Sequence, residues 1–300
     1  MSDTVIECRH LTHRYGKRLI YDDLNFEVKQ GKILGLLGKN GTGKTTTINI
    51  LMGYLRPAGG TCSIYGENVQ HLSPATRRRI ALLLEGHVQY SFMNVEQIER
   101  YYAPFYPRWN RDAYYGLVDK LRIAPRQKIA HMSNGQRSQV ALGLILAQNA
   151  DMMVLDDFSL GLDPGYRRLF IDYLRDYATA EGKTIFLTSH IIQDMERLID
   201  DCIVMDYGYI ITHRPARQLM EQFHRYTFTT DNIDPLAEFA TGRQTEIFHP
   251  ELLRGHAELY SFLGEDDVRA VLSSRGVRFG NLRRESLSLE DAFIGLTGKY

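Results

Sequence analysis

Residues 38–45 read Gly-Lys-Asn-Gly-Thr-Gly-Lys-Thr, the pattern G-x-x-x-x-G-K-[ST]. It lies between the apolar run Ile33-Leu34-Gly35-Leu36-Leu37, of strand length, and Thr46-Thr47-Ile48-Asn49-Ile50-Leu51-Met52, which can continue as a helix. That order restricts the chain to a strand–loop–helix unit whose loop curls round a polyphosphate. Gly38, Gly41 and Gly43 let the backbone turn successive N–H groups inward. Lys44 supplies a mobile charge for the β- and γ-phosphates, Thr45 offers a hydroxyl to Mg²⁺, and Lys39, Asn40, Thr42 and Thr46 complete the segment. The helix aims its positive end at the same phosphates. A Gly-rich surface turn would not need strand and helix on either side. The loop implies a nucleoside triphosphate site.

With 300 residues the chain has room for one large domain or two ordinary ones. A hydrophobic share of 44% against 24% charged residues is that of a globular protein with a substantial core. Lys+Arg and Asp+Glu both total 36, so the basic footprint of a nucleic-acid binder is missing. Cys8, Cys62 and Cys202 are scattered, without disulfide or zinc spacing, and read as reduced thiols of a cytosolic protein. The first ten residues are too polar for a signal peptide. No apolar run approaches the roughly 18–20 residues that span a bilayer. A role at a membrane therefore requires a second chain.

The pattern from Val5 to about Val28 predicts short strands and turns. Strands are expected at 61–65 and 80–84, separated by a polar stretch in which Arg77-Arg78-Arg79 reads as a solvated face. Residues 88–150 have helical spacing and many aromatics, including Tyr90, Tyr101, Tyr102, Phe105, Tyr106, Trp109, Tyr114 and Tyr115. These read as the packing core of a helical subdomain, with a docking surface as the alternative. Strands return at 152–155, 184–187 and 202–205, with helices at about 164–181 and 191–200. Such alternation predicts a mostly parallel sheet covered on both faces. A last strand at 209–213 and a closing helix at 215–223 finish this unit, and 225–300 read as a small α+β appendage.

Two further segments carry chemistry. Met152-Met153-Val154-Leu155 runs into Asp156-Asp157, placing carboxylates where a phosphate-loop enzyme holds Mg²⁺ and orients water. Ser133 and Gln136 form S-x-x-Q, a helix-starting capping box with free N–H groups that can meet an anion.

Together these pieces, in this order and spacing over about residues 4–222, resemble the ATP-binding cassette family, the nucleotide-binding subunits of ABC transporters. The resemblance implies that Met132-Ser133-Asn134-Gly135-Gln136 is the signature segment, in which Ser133, Gly135 and Gln136 contact ATP held by the opposite subunit. It implies that Ser159-Leu160-Gly161-Leu162-Asp163 is the loop after the second carboxylate, and that His190 in Thr188-Ser189-His190 touches the γ-phosphate. Tyr15 would stack on adenine. Glu85 falls where the family usually has a Gln that senses metal and water and touches the membrane partner. Ser286-Leu287-Ser288-Leu289-Glu290-Asp291-Ala292-Phe293 is similar to the ending of nucleotide-binding subunits of ABC-2-type exporters, which tilts the reading toward export.

The chain departs from the family pattern at three places. Asp157 replaces the usual Glu, which draws the carboxylate back by roughly 1.5 Å. Asn134 and Met132 replace a Gly and a Leu, both mildly. Glu85 adds a negative charge beside the metal. The resemblance thus implies a phosphate-loop α/β ATPase domain (1–222, helical subdomain about 88–150) and an accessory domain (223–300). It implies Mg-dependent ATP hydrolysis slowed by Asp157, with Asp157, His190 and Glu85 catalytic and Thr45, Asp156 and Glu85 holding the metal. Two copies, identical or not, would face each other and drive a separate transmembrane permease from the cytoplasmic side of the membrane, with no nucleic-acid partner. A soluble ABC ATPase or a slow ATP-gated regulatory subunit is the alternative.

Overall fold

The computed structural model describes residues 3–84, 90–120, 122–159, 161–237 and 246–299. Its centre is a six-stranded sheet in the order Tyr209–Pro215, Asp201–Asp206, Ile33–Gly38, Thr184–Thr188, Met152–Leu155, Ile80–Leu83. All neighbours are parallel except the edge strand Tyr209–Pro215. The apolar runs form inner strands because both faces are covered. Ile33 and Leu37 enter one buried cluster while Leu34 and Leu36 enter another, and Met153 and Leu155 divide from Met152 and Val154 in the same way. Parallel pairing brings the C-terminal ends of Ile33–Gly38, Thr184–Thr188 and Met152–Leu155 side by side. Crevices at such ends are where open α/β sheets bind ligands.

One face of this sheet is covered by the helix Lys44–Leu51 and by an antiparallel sheet in the order Arg18–Lys29, Thr4–Tyr15, Gly59–Ile64, Glu67–Asn68. The short strands expected before Val28 are in fact two strands of 12 residues each. Where turns were expected the strands carry bulges instead. His10 and Asp23 take φ of 51° and 59°, the pairing shifts between Cys8 and Leu11, and the Asn25 carboxamide oxygen accepts the His10 N–H at 2.8 Å. A side chain thus replaces a lost ladder bond without ending the strand. Cys8, Cys62 and Cys202 are buried and free.

The other face carries helices Val95–Tyr102, Arg111–Lys120 and Asn134–Ala147, and then Pro164–Glu181. The aromatics of this region divide between the two readings. Tyr114 is fully buried and donates its hydroxyl to the Val95 carbonyl at 2.9 Å, whereas Tyr90, Phe92, Tyr101 and Phe105 are exposed and touch one another. The arginine triplet is also not a uniformly solvated face. Arg79 pairs with Asp151 at 2.6 Å and lies over the Tyr65 ring at 3.6 Å, joining the two sheets at their edge.

Beyond Phe223 a second antiparallel sheet follows, in the order Phe248–Leu253, His256–Ser261, His224–Thr229, Gly280–Glu285. The helix Glu265–Ser274 lays Val268 and Leu272 against Tyr226, Phe228 and Leu259 on one of its faces. The last helix, Leu289–Thr297, is capped by Ser288, whose hydroxyl accepts the Asp291 N–H at 3.1 Å. It returns to the first unit. Leu289, Ala292, Phe293 and Leu296 join Leu198, Leu219 and Phe223 in the main core, and the Leu289 N–H donates to Glu196 at 2.8 Å.

Candidate functional site

The phosphate loop folds as its spacing predicts. Gly43 has φ of 105°, and a Cβ there would lie 2.7 Å from Ile20 and 2.8 Å from Tyr21, so only glycine fits. As N-cap residue of the helix Lys44–Leu51, Gly43 offers no side-chain acceptor, and the first-turn N–H groups stay free for an anion. The Lys44 ammonium reaches back across the loop, donating to the Gly38 carbonyl at 2.7 Å and the Lys39 carbonyl at 3.1 Å. Burial lowers its pKa from the ordinary value, and the carboxylates of Asp157 and Asp156 oppose that shift. Thr42 bonds the Lys39 carbonyl through its hydroxyl at 2.9 Å, bracing the turn from inside.

A cleft of about 280 Å³ opens over this loop, lined by Tyr15, Ile20, Asn40, Gly41, Gly43, Lys44, Thr45, Thr46 and His190 among others. Tyr15 is half exposed at the rim. Its hydroxyl lies 3.4 Å from Thr46 and its ring meets His13 edge-on. A flat, accessible aromatic face beside the phosphate loop is what base stacking requires.

Adjacent strand ends bring the remaining groups to the loop. Asp156 and Asp157 are both buried. Asp156 accepts the Thr188 hydroxyl on Oδ1 at 2.5 Å, while its Oδ2 is buried with no hydrogen-bond partner. Asp157 takes φ of 46°; its Oδ1 accepts the His190 backbone N–H at 2.9 Å and its Oδ2 meets His190 Nε2 at 2.7 Å. Burial pushes the Asp157 carboxyl above the usual carboxylate range, and His190 pulls part of that shift back. The donor set suits Mg²⁺. That ion takes one or two carboxylates plus substrate phosphates rather than an all-protein cage. Asp156 presents an unpartnered oxygen, Thr45 an exposed hydroxyl in the cleft.

Other expected site residues lie apart from this cleft. Ser133 and Gln136 form the capping box, with Gln136 N–H to Ser133 Oγ at 3.2 Å and Ser133 N–H to Gln136 Oε1 at 3.1 Å. Neither they nor Gly135 line the cleft. Gly135 packs on the loop after the carboxylates, where an added Cβ would lie 2.8 Å from the Gly161 carbonyl oxygen. Asp163 caps the helix Pro164–Glu181, accepting from Gly165 N at 3.0 Å and Tyr166 N at 3.2 Å. Glu85 lies outside the described residues.

Sequence reasoning missed Arg18 and Ile20, which line the cleft from the hairpin after Tyr15, and Tyr207, whose hydroxyl donates to the Asn40 carbonyl at 3.1 Å. It also missed Lys39 as a link to the C-terminus. The Lys39 ammonium donates to the Thr297 carbonyl at 2.7 Å, in a second hollow of about 560 Å³ lined by His190, Tyr207 and Phe293 among others. No local pattern announces contacts between residues 258 positions apart.

A phosphate loop at a helix N-terminus, with a carboxylate pair and a histidine on neighbouring parallel strands, defines a phosphate-loop nucleotide hydrolase. The family description "ABC transporter" matches residues 21–159. Over the whole chain, 31% of residues are identical with a Nod factor export ATP-binding protein I of Burkholderia orbicola, covering 100% of this chain and 99% of that one. The bacitracin transport ATP-binding protein BcrA of Bacillus licheniformis is 27% identical over 98% of both chains. Among solved structures, an ATP-binding subunit of an ABC transporter superposes with a TM-score of 0.64 at 25% identity, covering 73% of this chain and 92% of its own. A bacterial Atm1-family exporter with ATP bound shares the fold, with a TM-score of 0.63 at 18% identity over 73% of this chain and 40% of that one. The chain belongs to the ABC transporter family, as an ATP-binding and ATP-hydrolysing subunit.

Proposed function

We propose that this chain powers an exporter, working as one of a pair of ATPase subunits on the cytoplasmic face of a membrane. The observation that carries the reading is that Lys44, Thr45 and His190 line one cleft, with Asp157 buried behind it against His190 and Asp156 beside it at the next strand end. Among the described residues no helix is long and apolar enough to cross a membrane, so the translocation path belongs to a separate permease. Likeness along the full chain to subunits named for Nod factor export supports export over import. The exposed aromatic cluster of Tyr90, Phe92, Tyr101 and Phe105, which follows Glu85 in the sequence, is the surface we assign to the permease.

In this reading residues 1–222 form the ATPase domain and 223–300 an accessory domain. Tyr15 stacks on the adenine, and the loop Gly38-Lys39-Asn40-Gly41-Thr42-Gly43-Lys44-Thr45-Thr46 holds the phosphates. Ser133, Gly135 and Gln136 serve the ATP of the opposing subunit, which accords with their distance from the cleft of their own chain. Mg²⁺, held by Thr45, Asp156 and Glu85, would neutralise charge on the β- and γ-phosphates. Asp157 orients the attacking water and His190 contacts the γ-phosphate. Because both Asp157 oxygens are engaged by His190 and the side chain is one methylene short, turnover is slow. That same feature favours a second reading, a subunit whose ATP mainly holds a closed pair.

The test is ATP-dependent pairing. Wild-type chain mixed with ATP and Mg²⁺ should double in mass by light scattering, and Lys44→Ala should stay monomeric. Normal pairing by the variant would count against the mechanism. Co-purification from membranes with a multi-span protein tests the exporter assignment.

A further inference from the structure

Thr188 ends its strand beside both carboxylates and is completely buried. Its one hydroxyl makes two bonds. The proton goes to Asp156 Oδ1 at 2.5 Å, and a lone pair accepts the Asp157 N–H at 3.2 Å. A hydroxyl has one proton and two lone pairs, so both bonds form together.

The first bond fixes the Asp156 carboxylate through Oδ1 and leaves Oδ2 buried without a donor. A buried carboxylate oxygen with no partner is costly in a protein interior, and a cation relieves that cost directly. The second bond anchors the backbone at Asp157, whose φ of 46° is unusual for a residue with a side chain. That backbone turn is what sets the Asp157 carboxylate against His190. One neutral group on a neighbouring strand therefore sets the aim of two acids that perform different tasks.

We infer that Thr188 is a positioning residue for the metal: it holds Asp156 so that Oδ2 is presented to the cation, while bracing the strained turn at Asp157. The inference rests on the proposed metal role of Asp156. Valine has the same shape as threonine and lacks the hydroxyl, so Thr188→Val removes both bonds with little change in packing. Thr188→Ser keeps the hydroxyl and loses only a methyl group.

The experiment uses the intact chain with saturating ADP and Mn²⁺ as the probe, following the electron paramagnetic resonance signal of free Mn²⁺. Nucleotide affinity is measured separately in EDTA. Asp156→Asn should weaken Mn²⁺ binding most. Thr188→Val should weaken it roughly tenfold, the lower end of what loss of an outer-shell partner costs, with nucleotide affinity in EDTA unchanged. Thr188→Ser should restore wild-type binding. Wild-type Mn²⁺ affinity in Thr188→Val, or a Thr188→Ser as weak as Thr188→Val, would overturn the inference and leave the metal role of Asp156 standing. An Asp156→Asn with wild-type affinity would overturn the metal reading and this inference with it. Should Thr188→Val fail to fold, Thr188→Cys replaces it. Its weak S–H donor must give an affinity between those of Thr188→Ser and Asp156→Asn, and a value equal to Thr188→Ser refutes the role of the hydroxyl.

Discussion

Lengthening Asp157 by one methylene is the most direct trial of the catalytic reading. In Asp157→Glu the carboxylate advances by roughly 1.5 Å, out of its contacts with His190 at 2.9 Å and 2.7 Å and toward the proposed γ-phosphate site. Misplacing a reacting group by about 1 Å can cost on the order of 100-fold in rate, so correcting it can return up to about 2.7 kcal/mol of barrier. Part of this is lost, since His190 no longer has the carboxylate to orient it; a charge-assisted hydrogen bond contributes about 1.5 kcal/mol at the low end. The difference, about 1.2 kcal/mol, corresponds to a roughly tenfold higher turnover. Phosphate release by the assembled transporter at saturating ATP measures it, with nucleotide affinity as the control. Unchanged or slower turnover at normal affinity would refute the argument, because the shorter carboxylate would then already sit where the reaction needs it.

Two other expectations follow from single contacts. In Gly135→Ala the new methyl lies 2.8 Å from the Gly161 carbonyl oxygen, so the start of the helix Asn134–Ala147 must shift; ATP-dependent pairing should be lost by light scattering while nucleotide binding by the isolated chain persists. In Lys39→Ala the Thr297 carbonyl loses its ammonium partner. Amides of residues 293–299 should then exchange hydrogen faster, by up to about tenfold, the equivalent of one charged hydrogen bond to a helix end, and an exchange pattern like the wild type would remove any link between the loop and the C-terminus.

Much of this was legible in the residues alone. The loop, its strand and its helix are local in their backbone, since Thr42 and Lys44 bond the carbonyls of Gly38 and Lys39 within six positions. The capping box at Ser133–Gln136 is equally local. The strands Met152–Leu155 and Thr184–Thr188 showed as apolar runs because both of their faces are buried. What misled was polarity that serves structure. The stretch from Val5 to about Val28 read as short strands and turns, whereas His10, Asp23 and Asn25 sit at a bulge inside two long strands, the Asn25 carboxamide satisfying the His10 N–H. Arg79 looked solvated and is tied to Asp151, 72 positions ahead, and to Tyr65, in the turn after a strand of the other sheet. The aromatics after Tyr90 could not be sorted into core and surface, since helical spacing does not say which helix face meets the sheet.

Local chemistry dictated that a glycine-lined loop would open a helix at residues 38–45 and that carboxylates would end a strand at 156–157, because turns, caps and charge need only near neighbours. Tertiary structure decided everything that depends on which strand lies beside which. It set Thr188 between the two acids, turned Asp157 onto His190, and brought the last helix back to Lys39. These relations come from the register of parallel strands and the filling of a shared core, and no short stretch of sequence holds either.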